Sequence, residues 1–263
     1  MAQNWATINR RRRSFVIKYS RAWKDEYILV GREVERLILK WGDAVEQHIP
    51  LIQFPGIERL WGDMYADCGV AFAKDGYNIY IKSKKGIEQK AAVEVTPMVL
   101  VDSWTDRMLA YAFNEAGDFI VSIQRTARED MLTIVGNILA EGFEIGTSRD
   151  SMAEKIAKQF VQEWGDSAEW KGKRIAQTEM IRASNYGTLQ GVEALGIPYD
   201  RVWYSGGAGV RPTHAEANGQ VVDSQDPFII GGWQAFYPGD PTLPPEESIN
   251  CRCAVSARPK GGY

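Results

Sequence analysis

Cysteine is scarce in this sequence. There are three in 263 residues, an odd number and too few for the disulfide framework of a small secreted protein. A chain of this length can bury a core of its own without such staples, so a reducing compartment is expected. Histidine is scarcer still, with only His48 and His214. No apolar run approaches the roughly 18 residues of a membrane helix. The opening "MAQNWATINRRRRSF" has no apolar stretch behind its basic residues and does not read as a signal peptide, so a soluble, intracellular protein is expected. Nor is there an excess of positive charge: the formal net charge is −3, which argues against a domain devoted wholly to gripping nucleic acid.

What basic charge there is gathers at one place. Arg10, Arg11, Arg12 and Arg13 are consecutive, with Lys18, Arg21 and Lys24 following. Residues 1–19 therefore read as a basic arm, either a solvated tail or a contact for a polyanion such as DNA. From Ser20 to about Gln47 apolar residues recur every three or four positions (Trp23, Tyr27, Val30, Val34, Leu37, Ile38, Trp41, Val45), the period of one long amphipathic helix. A second stripe through Ile57, Trp61, Met64, Cys68 and Phe72 predicts another helix with Cys68 in its core face. Asp75 to Val95 is lysine- and glycine-rich and reads as a connection or a short strand around Tyr77 to Ile81. Helical pattern resumes over Met98 to Glu115, Phe119 to Glu141, onward from a Thr147-Ser148 cap to Trp164, and again over residues 170–197.

Beyond residue 200 the texture changes to glycine, proline and short β-prone runs: "RVWYS", "GQVVD", "PFIIGG", "QAFYP" and "CRCAV". The expected class is α+β, with a helical domain over residues 20–165 and a small helix-plus-antiparallel-sheet domain over 166–263. Strand alternation in "CRCAV" would turn Cys251 and Cys253 to one face, toward the helix of residues 170–196, with Arg252 opposite. With His214 those thiols form a zinc-like ligand set, although the usual knuckle spacing is Cys-x2-Cys and no fourth ligand is evident. Burial of two small apolar side chains is the competing reading. An enzyme site using His214 with Glu179 or Arg211 is a third, against which stands hydrogen bonding by the same groups to hold loops on the helix.

Several blocks in order carry a family resemblance. "RIAQTEMIRASNYG" supplies Thr178, Glu179, Asn185 and Gly187; "VWYS" follows; "VRPTHAEANGQVV" supplies Arg211, His214 and Gly219; and "YPGDPTLPPEESINCRC" ends on Cys251, Arg252 and Cys253. Together they resemble the C-terminal head-morphogenesis domain of the phage Mu F-like minor head proteins. The resemblance implies a minor capsid protein of a tailed phage or prophage, carried inside the head near the portal. It would act in head assembly or accompany packaged DNA, be made in the host cytoplasm, and have the portal protein, the major capsid protein or DNA as partners and no membrane. A nuclease or toxin-like effector is the alternative. The resemblance implies no cofactor; zinc is suggested by the residues alone.

Overall fold

The computed structural model describes residues 5–84, 97–145, 149–207 and 209–260. The class is α+β, as expected. Helices α1 (Trp5–Trp41), α2 (Pro55–Lys84), α3 (Pro97–Ala110), α4 (Gly117–Ile145) and α5 (Arg149–Glu193) come first, a π-turn over Tyr111–Glu115 joining α3 to α4. The remainder holds β1 (Tyr199–Tyr204), α6 (Pro212–Glu216), β2 (Val221–Asp223), β3 (Phe228–Ile230), β4 (Trp233–Ala235), α7 (Pro245–Ser248) and β5 (Ala254–Pro259). Four helices open on proline (Pro55, Pro97, Pro212 and Pro245), where its missing N–H costs nothing and its fixed φ suits the first turn.

Several sequence expectations are corrected here. Helix α1 starts at Trp5 and not near Ser20, so Arg10 to Arg13 are helical and form no separate arm among the described residues. Residues 77–81 are helical, within α2, and form no strand. The break expected near residue 165 is absent: α5 runs unbroken for 45 residues. The rest of the expected connection, residues 85–95, and the Thr147-Ser148 cap lie outside the described residues.

Compact units do not follow the sequential order expected. One is made of Met1–Ile17, Gly62–Ala116 and Ala176–Tyr263; the other is made of Lys18–Trp61 and Gly117–Ile175. The divisions expected at residues 19 and 165 fall inside α1 and α5, each of which contributes to both units. The second unit is an aromatic-rich helical core. Trp23 meets Trp61 edge-on, Tyr27 stacks on Trp164 at 5.5 Å, and Trp164 Nε1 donates to the Tyr27 carbonyl at 2.6 Å, which satisfies that buried indole.

In the first unit α2 and α5 approach at backbone distance. A Cβ on Gly187 would run into the Gly69 carbonyl and one on Gly191 into that of Ala73, so only glycine fits. Cys68 lies fully buried on the same side of α2, its sulfur 3.8 Å from the Met180 carbonyl, and burial pushes its thiol up to about 12. It is a core residue. Cys68→Ala is expected to cost about 1 kcal/mol in a denaturant melt, the ordinary price of a small core truncation.

The sheet of this unit is three-stranded and antiparallel, order β2-β1-β5, with Trp203 opposite Val255. A separate hairpin pairs β3 with β4 across Gly231-Gly232, both at positive φ, the conformation a two-residue hairpin turn demands. The expected strand over "CRCAV" begins only at Ala254; Cys251 to Cys253 precede it in irregular backbone, because Asn250 (φ 56°) takes the left-handed conformation and turns the chain out of α7.

Candidate functional site

One stretch of α5 is buried all round: every residue from Thr178 to Asn185 is buried. A helix enclosed this way is normally apolar, yet this one carries Thr178, Glu179, Arg182, Ser184 and Asn185. Each must therefore find a partner inside the protein, since an orphaned buried polar group costs about 1–3 kcal/mol. Thr178 Oγ1 accepts from the Asn250 backbone N–H at 3.2 Å. Glu179 accepts from Tyr65 Oη and from Arg182, both at 2.5 Å, and Arg182 Nε donates to the Gly239 carbonyl. Asn185 Nδ2 donates to the Pro238 and Cys253 carbonyls at 2.8 and 3.2 Å, while its Oδ1 accepts from the Val255 backbone N–H at 3.0 Å. The polar stripe of α5 thus holds the Tyr-Pro-Gly-Asp loop and the end of the chain in place.

Arg12 completes this network. Its guanidinium is buried and donates to Ser184 Oγ (2.6 Å), to Asn185 Oδ1 (2.7 Å) and to the Cys253 carbonyl (2.9 Å). No carboxylate pairs with it among the described residues, and burial pulls it down to about 10. Sequence reasoning placed Arg12 with Arg10, Arg11 and Arg13 as a DNA contact; the structure takes it out of that set, because its donors are spent inside the protein. Arg11 pairs with Asp75, and Arg10 and Arg13 face solvent. A signal for Arg12 was present: it lies four residues after buried Ile8 and seven before buried Tyr19, on the extension of the α1 stripe.

Next to this network lie the three residues that the sequence marked as a metal-like set, and the structure brings them together. His214, on the short helix α6, places Nδ1 3.3 Å from Cys253 Sγ and 3.6 Å from Cys251 Sγ. All three side chains are buried, and their ligand atoms lie within 4.8 Å of one another. Both sulfurs turn inward and Arg252 outward as expected; the sulfurs meet His214 of α6, and the Cys253 carbonyl accepts from Asn185 of α5. The Cys253 backbone N–H points at Cys251 Sγ at 3.4 Å, and the Gly206 N–H bonds to Cys253. Cys253 is held below the usual thiol range by its hydrogen bond with Cys251 and by His214, whereas Cys251 is raised by that same hydrogen bond and by burial.

The far side of the imidazole is equally defined. His214 Nε2 lies 2.9 Å from Glu247 Oε2, at ion-pair distance although off the line of an N–H hydrogen bond. Thr213 Oγ1 donates to the same carboxylate oxygen. Glu247 sits on α7, the single turn that the proline run "LPPEES" initiates. Glu247 is not among the residues the sequence singles out, although a carboxylate on a proline-started turn is the available clue. Trp203 packs edge-on against the imidazole at 5.6 Å.

The residues proposed as catalytic partners are occupied elsewhere. Glu179 serves Tyr65 and Arg182, and Arg211 donates to the Ile249 carbonyl at 2.5 Å. Among the described residues no hydrogen bond or ion pair joins either to His214. Gly219 (φ 80°) shapes the turn after α6. Beside His214 opens a cavity of about 330 Å³, lined by Arg211, Arg252, Gln177, Asn250, Gly209 and Val210.

Comparison with curated proteins and with solved structures yields no match. Comparison with protein families bears out the resemblance carried by the Thr178-to-Cys253 blocks: residues 133–256, just under half of the chain and reaching from α4 into β5, match the phage head-morphogenesis family described as phage Mu protein F like protein.

Proposed function

We propose that this chain is a minor head protein of a tailed phage or prophage, carried inside the capsid near the portal and acting in head assembly, in company with packaged DNA. The family match over residues 133–256 is the observation that carries the reading. No described helix is long and apolar enough to cross a membrane. Disrupting the gene in its parent phage is expected to leave heads that fail to mature or particles that do not infect. Normal heads at normal titre would contradict the role.

Contact with a portal or shell protein needs an accessible apolar surface. The β3–β4 hairpin offers one: Ile229, Trp233 and Phe236 each leave about half of their surface exposed (50%, 51% and 44%). Trp233→Asp is expected to change stability by no more than about 0.5 kcal/mol, as surface replacements do, while lowering incorporation of the protein into proheads. Undiminished incorporation would remove the hairpin as a contact.

Contact with DNA would rest on Arg10 and Arg13. Each phosphate neutralised contributes about 0.9 to the slope of log affinity against log salt. Replacing both by alanine should therefore flatten the slope by about 2 for duplex of any sequence. An unchanged slope would take DNA out of the proposal.

A further inference from the structure

The His214, Cys251 and Cys253 cluster is geometrically suited to more than core packing. A tetrahedral zinc ion sits about 2.3 Å from sulfur and about 2.0 Å from imidazole nitrogen, which puts each nitrogen–sulfur pair about 3.5 Å apart. The two observed separations, 3.3 and 3.6 Å, bracket that value. A thiol pair buried merely as apolar filler has no reason to converge on one ring nitrogen.

Three further features point the same way. Backbone N–H groups from Cys253 and Gly206 face the two sulfurs, the arrangement that stabilises ligating thiolate. Glu247 stands against the far nitrogen of the ring, as carboxylates behind metal-bound histidines do, and leaves Nδ1 turned to the sulfurs. The buried Arg12 cation, lacking any carboxylate partner among the described residues, lies on the Cys253 carbonyl and favours negative charge on the neighbouring sulfurs. The irregular backbone after Asn250 also answers the spacing objection, since Cys-x-Cys need not behave as a flat strand to aim both sulfurs at one point.

We propose that His214 Nδ1, Cys251 Sγ and Cys253 Sγ hold a zinc ion, with a solvent oxygen as fourth donor. No fourth side chain joins the cluster among the described residues, and the cavity that His214 lines supplies the route for solvent. The ion ties α6 to the end of the chain and so fastens the small sheet. This inference stands apart from the head-protein role.

Elemental analysis of the full-length chain, purified in a weak chelator, is expected to find one zinc per chain. Replacing zinc by cobalt should give a thiolate-to-cobalt charge-transfer band that Cys253→Ser abolishes. Because ligand variants are liable to unfold, Glu247→Gln provides a second test that leaves all three ligands in place. It should keep the helical circular dichroism while weakening zinc affinity about 10- to 100-fold. Cys68→Ala should retain the metal in full. The proposal is overturned by a folded, metal-free protein whose melting temperature responds neither to added zinc nor to a strong chelator. Loss of zinc in Cys68→Ala would overturn the ligand assignment.

Discussion

Asn185→Ala is expected to cost about 3–5 kcal/mol. The truncation leaves the Val255 N–H, the Pro238 carbonyl and one Arg12 donor without partners in a site closed to water, at about 1–3 kcal/mol each. The Cys253 carbonyl keeps Arg12 and is spared. Amide exchange localises the effect: the Val255 N–H should exchange at least a hundredfold faster, since about 1.4 kcal/mol corresponds to a factor of ten. A loss below about 1 kcal/mol would mean that water reaches the network and that the end of the chain is not locked as described.

Gly187→Val carries the second large effect. In an exposed helix, replacing glycine gains up to about 1 kcal/mol. At Gly187 the new Cβ meets the Gly69 carbonyl, which belongs to backbone and cannot rotate away. Helices α2 and α5 must separate along a line that also includes Gly191 against Ala73 and Gly76 against Thr188. A net loss above about 3 kcal/mol is expected, at the upper end of overpacking costs. Gly165→Ala, on the same helix with nothing within 4 Å of its Cβ, is the control and should be stabilising by about 0.5–1 kcal/mol. Equal effects at the two positions would show that helix propensity and not close approach governs α5.

The helical stripes were legible because burial on one face imposes a 3.6-residue period, and Trp23 through Ile38 obey it. The turn chemistry after residue 200 was legible too, and "FIIGGWQA" folds as the hairpin its two glycines specify. Helix α1 was cut short because its stripe continues through a charged residue. Arg12 is core by partnership and not by hydropathy, which no periodicity of apolar residues reveals. The false break at residue 165 has a related cause: α5 contributes to both compact units, and its polar, buried stretch from Thr178 to Asn185 has no amphipathic period to extend the first part. Interleaving of distant segments is likewise invisible along the chain. The candidate site was half legible. Cys251, Cys253 and His214 were singled out as residue types, but their convergence depends on α6, the Asn250 turn and Glu247, all of which are set by tertiary packing.

The role in the phage head is tested most directly by a quantitative mass-spectrometric inventory of purified virions and of proheads taken before DNA packaging. The expected result is the chain in both, at a copy number far below that of the major shell protein. Its absence from both, with the protein free in the infected-cell lysate, would contradict the account.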